Sequence, residues 1–543
     1  MKNYFFKTLL FLFLSFTAIA LQAQTTTYYV DIDAPLGGDG LTWATAFNNL
    51  QDGIDNAATV FANNGTGIVR VSDGTYPAPV TGFQLKNGVQ IWGGYNSRSA
   101  PDWLINATRF YGGVSTTVLG TSCFIANQNL GNQTILDGMN ILPPSTGTFY
   151  GIEIKNTCQV FEMSVNNCSF GRDMNHFFSG LYGIASTQNS YVTGTFNPKI
   201  NNCTFYTIVG INLEIGGTIA ADISINNSTF HNNHNASIHL YSHYSTTINN
   251  IGNVDLNINN SRFNIDRNGI WLELHGNNMT SNANVTNSIL TSSFSYTNST
   301  GIDLRFHTDL TATNCTLYGL SQPIMKTNTV LSTFNNCIFW DSNYIIVDAG
   351  TSGFVPATFN NCLVDVSSCS AINPSSNHIT CNNVIYNQNP QFLSTDSNSS
   401  DYLKLSNSSP ARNAGNNSFI PVGVTKGYGG NSRILENIVD MGAYELCPSR
   451  ACSSSSHLPS RKITAAVSNS EINSIVYPNP ATNVLNIKSD SEIVSISLLN
   501  VQGQEVKKWN TKNKLYIGDL PIGMYLLKVN TTERIEHIRI IKE

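Results

Sequence analysis

The sequence predicts an all-β chain: a solenoid of stacked coils behind an N-terminal cap, then a small antiparallel β-sandwich. Three observations predict it. A six-residue phrase recurs nine times, from VNNCSF at 165–170 to CNNVIY at 381–386. The phrases are β-branched, aromatic and Asn-rich without helical spacing, which favours strands. Charged residues make up only 12% of the 543, against a usual share of about 25%, so the polar surface is mostly neutral Asn, Ser and Thr. A repeat array can reach this length without dividing into separate cores.

The chain opens with MKNYFFKTLLFLFLSFTAIALQAQ. Lys2 and Lys7, an apolar run and a small residue at Ala23 predict a secretory signal over 1–23, too short to span a membrane. No later stretch is long and apolar enough to span one. Residues 24–149 read as the N-terminal cap and first coils. Within them Trp43–Thr59 has the pattern of an amphipathic helix able to plug the first coil, whose core and backbone would otherwise be open.

Residues 150–390 hold the repeats, whose starts lie 22 to 35 apart. That suggests coils of fixed girth with loops inserted at corners. In INNCTF (200–205), Ile200 and Cys203 are three apart and would face opposite sides of a straight strand. Ile200, Cys203 and Phe205 all point inward only if the chain bends at Asn201-Asn202. Asn tolerates the left-handed conformation better than most residues, and stacked Asn side chains can form an amide ladder. The phrase is therefore a corner between two strands. A second strand per coil follows from GINLEIG (210–216), ASIHLYSH (236–243), GIWLELHG (269–276) and GIDLRFHT (301–308). Their alternation turns Ile211, Leu213, Ile215, then Ile270, Leu272, Leu274, then Ile302, Leu304, Phe306 to one core.

Residues 391–448 read as closing coils and the far cap, and 449–474, Ser-rich and aperiodic, as a linker. The tail, 475–543, holds sixteen charges in 69 positions against 47 in the other 474. Its short alternating strands, punctuated by Pro and Gly, predict the antiparallel β-sandwich.

These patterns carry two resemblances. The repeats resemble the right-handed parallel β-helix family of secreted bacterial proteins, and YYVDIDAPLGGDGLTWATAFNNLQDGIDNA, IVRVSDGTYPAPV and VQIWGGYN resemble that family's cap. The segment 401–446, DYLKLSNSSPARNAGNN to RILENIVDMGAYEL, resembles the closing module of related secreted proteins. In the tail, VYPNPATNVLNI (476–487), LLNVQGQEV (498–506) and LPIGMYLLKV (520–529) resemble the type A C-terminal sorting domain of type IX secretion, found in Bacteroidetes-like bacteria. That resemblance implies the secretion machinery as a partner, passage through the outer membrane, loss of the tail, and a cell-surface or released product.

Chemistry is sought on the outward side of the second strands. Aligned on the inward Ile, one column reads Asn212, His239, Trp271, Asp303. The next reads Glu214, Tyr241, Glu273, Arg305, and the third Gly216, His243, His275, His307. Stacked coils lie about 4.8 Å apart, so these columns form one patch. Trp271, Tyr241, His243, His307 and Glu214 suit a glycan, which binds by ring stacking and by hydrogen bonds to planar charged groups. Glu273, His275, Asp303 and Arg305 are the candidate catalytic groups. A lyase needs a base and a cation; a hydrolase needs two carboxylates. The competing reading is an ordinary solvated face. Two functions stand: an adhesin-like or glycan-binding surface protein, and a polysaccharide lyase or glycoside hydrolase.

Net charge is −5 with no basic block, which argues against nucleic acid as a partner. No cofactor is predicted. Calcium finds little support at Asp31, Asp33 and Asp39, because Pro35 stands where a ligand should be; a turn is expected. HNNHN at 231–235 reads as a loop and lacks the Glu of a metalloprotease motif. Eleven cysteines are present, and five of them (Cys168, Cys203, Cys315, Cys337, Cys362) share one place in the phrase. They read as reduced, buried packing residues, while Cys447 and Cys452 are spaced to pair. No spacing suits zinc.

Overall fold

A computed structural model describes residues 24–95, 116–144, 147–171, 181–186, 192–242, 251–276, 278–292, 298–306, 308–326, 331–342, 344–348, 356–373, 378–447, 474–477, 481–489, 492–499, 505–509, 514–521, 523–531 and 535–542. The expected signal and most of the expected linker lie outside them.

The coils pair in parallel and most contain three strands: the two that meet at the phrase and the GIWLEL-type strand before them, which in one coil runs on without a break as Val209–Asn226. One coil runs through Ala236–Ser242, then Ile251–Asn259, turns at Asn260, and continues through Arg262–Ile265. The first two strands of each coil join a 24-stranded sheet and the third joins a 12-stranded sheet. Equivalent residues fall in register from coil to coil: Ile211, Ile238, Ile270 and Ile302 form one row. The architecture is a parallel β-helix.

The Asn of the phrase makes the corner. Its third residue in all nine copies (Asn167, Asn202, Asn227, Asn260, Asn287, Asn314, Asn336, Asn361, Asn383) has φ between 48° and 55°. A β-branched residue there would be strained. The amides then ladder between coils: Asn201 donates to Asn166 at 2.9 Å, Asn226 to Asn201 at 3.1 Å, and Asn202 to Asn167 at 3.2 Å. Behind the corner Ile200, Cys203 and Phe205 are all buried. The rings of Phe170, Phe205, Phe230 and Phe263 stack at 4.7–4.8 Å, within 5° of parallel. Deleting one such ring would cost about 3–5 kcal/mol.

Seven described cysteines, including the five of the phrase, are free and buried. The Cys337 amide donates to the Cys362 sulfur at 3.4 Å, and the two remain unbonded thiols. A disulfide joins Cys369 to Cys381 in the last coil. The repeat gives no sign of it, because Cys381 occupies the first place of its phrase, not the fourth. Cys447 is also disulfide-bonded; Cys452 lies outside the described residues.

At the N-terminal end the helix is Leu50–Ala62, not Trp43–Thr59. Asn49 caps it, accepting from the Gln51 amide at 2.9 Å, and this stops it from reaching back to Trp43. Leu50, Ile54 and Ala57 are buried in the coil core, as a plug requires, while Trp43 packs beside Tyr29 and Tyr95. The outer edge of strand Thr25–Val30 is covered by the 40–47 segment through Tyr29 N–H to Gly40 O and Phe47 N–H to Tyr29 O. Asp31 and Asp39 accept backbone N–H bonds from Asp33 and Leu41, as turn residues do.

Residues 391–446 correct a second expectation. They form no further coil. They run back along the 12-stranded sheet and bury Tyr402, Leu403, Tyr428 and Tyr444 with Ile289, and Leu405, Ala411 and Met441 with Ile338 and Leu363. Asn287 donates to Lys426 O at 2.9 Å, Asn336 to Asn416 O at 3.0 Å and Asn361 to Ala414 O at 3.2 Å. Corner amides that ladder in earlier coils here hold this segment. Fully buried Arg433 binds Glu445 at 2.9 Å and the carbonyls of Asp440, Gly442, Ala443 and Tyr444.

The tail is a separate unit. Its described strands form a three-stranded and a four-stranded sheet, with antiparallel pairing between their named strands, around Leu485, Ile487, Ile496, Leu498, Leu515, Leu527, Val529 and Ile540.

Candidate functional site

The GIWLEL-type strands, second to the phrase in the repeats, come first in each coil in the order given above, and this first-strand side carries the candidate site. In three of these strands a glycine precedes the inward Ile where coils approach closely: a Cβ on Gly269 would lie 2.4 Å from Gly301 O. From there alternation sends the next side chains out. Two of the three columns read from the sequence are in register. Asn212 pairs with His239, His239 with Trp271 and Trp271 with Asp303; Glu214 pairs with Tyr241, Tyr241 with Glu273 and Glu273 with Arg305.

The ionic centre is Arg305. It grips Asp303 with both ends of its fork, Nη2 at 2.9 Å and Nε at 3.2 Å, and lies 3.9 Å from Glu273. His275 Nε2 is 3.4 Å from the other Glu273 oxygen. Asp303 is only 1% exposed; burial pushes its carboxyl above the usual range, and Glu273 adds to that while Arg305 opposes it. Its place in an outward column suggested solvent, but the Arg305 fork closes over it.

Trp271 is not the open platform that the sequence suggested. His239 stacks on it at 4.1 Å, and the Arg305 guanidinium sits 5.1 Å from its ring centre. Stacked coils place rings face to face along the axis, so the rungs above and below take the faces and leave edges to solvent. His239 also stacks with Tyr241 at 4.6 Å, and its Nδ1 lies 3.1 Å from Asn212 Oδ1. Burial, helped by Arg305, lowers the His239 pKa to about 4. Tyr241 O–H donates to Glu214 at 3.5 Å, and burial followed by the Glu214 charge pushes its hydroxyl up to about 12. His243 and His307 lie outside the described residues.

Three groups were missed. Phe306 was expected inward, yet it is half-buried with φ 68°, and its ring lies 3.7 Å from His275. A bulky residue with that φ is uncommon and strained. No sequence signal marks it, since alternation alone turns it to the core. Two coils earlier than Asn212, the same column holds buried Glu153, bonded to Ser122 at 2.8 Å and paired with Lys155. Tyr150 and Tyr182 stack beside it at 5.3 Å. The phrase YGIEI at 150–154, a variant of GIWLEL, is the signal that could have found them.

His231 and His234, expected in a loop, differ from each other. His231 lies in strand Thr229–Asn233 and stacks on Tyr206 at 4.5 Å; His234 lies 2.8 Å from Asp266. Elsewhere a shallow groove of about 260 Å³ runs over the second-strand side, lined by Asp222, Asp255, Asn257, Asn282, Asn284, Asp309 and Thr311. Among the described residues no three His, Cys, Asp or Glu side chains converge as a metal site would.

The tail decides the cellular address. Residues 475–543 match the family described as the secretion system C-terminal sorting domain. The chain is a type IX secretion cargo. It passes to the cell surface or the extracellular space, and no helix among the described residues is long and apolar enough to cross a membrane. No curated protein matches the sequence. Among solved structures, the A-module of the Azotobacter vinelandii mannuronan C-5 epimerase AlgE6 is similar at 10% identity, over 62% of this chain and 94% of its own, with a TM-score of 0.18. That overlay is too loose to bear on activity, and the parallel pairing itself establishes the fold of this cargo.

Proposed function

We propose that this exported cargo is an adhesin-like surface protein that binds a glycan along its first-strand side without cleaving it. The observation that supports this reading is the mutual commitment of the ionic groups: Arg305 is held by Asp303 and Glu273, and Lys155 by Glu153. Such a network presents fixed hydrogen-bonding edges, which suits recognition of sugar hydroxyls. Turnover asks for more. A lyase needs a cation free to offset developing charge, and a hydrolase needs two carboxylates flanking a bond.

One feature favours the second reading, a glycoside hydrolase or polysaccharide lyase. Asp303 is buried beside Glu273 and its carboxyl is pushed up, which is how a general acid is prepared. A polysaccharide panel scored for binding and for new reducing or unsaturated ends separates the two. Binding with no new ends supports the surface protein. Turnover that disappears in Glu273→Gln or Asp303→Asn, with binding retained, establishes the enzyme.

The signal pattern over 1–23 supports a mature chain starting near Gln24, and the sorting match supports loss of the tail after export. Mass spectrometry of surface material tests both. Deleting 475–543 is expected to strand the protein in the periplasm; display without it would refute dependence on the tail.

A further inference from the structure

We propose that the glycan taken by this side is uncharged and that polyuronates are refused, an inference that rests on the glycan-binding reading above. On the first strands of the coils, from Ser122–Ala126 to Thr300–Phe306, and with Lys155 just past one of them, the described charged groups are four carboxylates, Glu153, Glu214, Glu273 and Asp303, and two cations, Lys155 and Arg305. Each cation is already engaged: Lys155 by Glu153, and Arg305 by Asp303 in a fork and by Glu273. A polymer carrying a carboxylate on every sugar would need an arginine or lysine to face it. To obtain Arg305 it would have to displace Asp303, which is 1% exposed and would be left buried and charged. Breaking such a pair is costly. The polymer's charges would also be repelled by the partly exposed Glu273 carboxylate and by the net negative charge of four carboxylates against two cations.

The remaining recognition chemistry is neutral. Tyr150, Tyr182 and Tyr241 are half-buried, and Tyr241 spends its hydroxyl proton on Glu214 at 3.5 Å. A phenol oxygen in that state accepts from sugar hydroxyls. The half-exposed Glu273 oxygens, at 27% side-chain exposure, accept likewise. Acceptors of this kind match the O–H groups of an unsubstituted glycan and repel the carboxylates of an acidic one.

The test uses the protein recovered from the surface fraction. Its affinity is measured for hydroxyethylcellulose and laminarin as uncharged probes, and for alginate and polygalacturonate as polyuronates, at low and at moderate salt. The expected result is binding to an uncharged probe, with polyuronates weaker by about tenfold or more at low salt, the factor that about 1.4 kcal/mol of repulsion produces. The gap should narrow as salt screens the charges. Glu273→Lys should move the polyuronate-to-neutral affinity ratio at least about threefold toward the polyuronate by reversing one charge. Polyuronate binding that is tighter than neutral binding and loosens with salt overturns the inference. Failure of every probe in both classes removes the glycan reading itself, a different outcome from a reversed preference.

Discussion

Two sides of one coil are built from the same backbone and hold different chemistry. On the first-strand side Asp303 is buried under Arg305, Trp271 is sandwiched between His239 and that same guanidinium, and Glu214 is nearly buried. On the second-strand side Asp222, Asn282, Asn284, Asp309 and Thr311 are exposed. Their bonds are simple rungs, such as Asn257 to Asp222 at 2.8 Å and Asn284 to Asn257 at 3.0 Å. Short amide and carboxylate side chains reach only the next coil and leave water access to every group. Long or aromatic ones fold over their neighbours and exclude water. Side-chain length, more than polarity, separates a site from a solvated ladder here.

Matched substitutions sharpen this contrast. The largest effect is expected from Arg305→Met, which leaves Asp303 buried without its cation; chemical denaturation should show a loss of about 3 kcal/mol. Acidification comes next. His239 and His231 are each lowered to about 4, chiefly by burial and then by Arg305 and Arg262 respectively. Their folded pKa lies below the unfolded value, so their stabilising contribution is complete above about pH 6.5 and is lost as pH falls through 4. Each should cost on the order of 2 kcal/mol over that window, and His239→Gln should remove its own share of that loss. Trp271→Ala should lower stability by about 1–2 kcal/mol, because ring contacts hold the coils together; an exposed platform would have cost almost nothing. The smallest effect belongs to the other side: Asp222→Asn should stay within about 0.5 kcal/mol. A large loss there would erase the distinction between the two sides.

Much of this was legible because the repeat writes geometry directly into residue identity. The odd spacing of Ile200 and Cys203 already required a bend, and the left-handed Asn residues supply it at every copy. The column register followed from the inward Ile alone. What stayed hidden depends on contacts distant in sequence. Nothing local says that Arg305 would cover Asp303, that Phe306 would turn outward, or that the 391–446 segment would lie along a flank instead of adding coils. The short third strand was written in the phrase itself, whose last residues, such as Arg262 and Phe263, open it beyond the Asn bend. The helix start was misplaced because Trp43 fits an amphipathic pattern, while the Asn49 cap decides where the helix begins.

The returning segment changes how the stack of coils should come apart. Coil-to-coil contacts join residues only some tens of positions apart, so a plain stack is a one-dimensional array that frays from its ends. The bonds from Asn287 to Lys426 and from Arg433 to Asn287 span 139 and 146 positions, and that from Ala443 to Thr316 spans 127. They tie the coils from Asn287 to Leu363 into one cooperative block. Under a pulling force, these four coils should resist peeling until the clasp releases, and then yield in a single step, while the earlier coils give way one at a time.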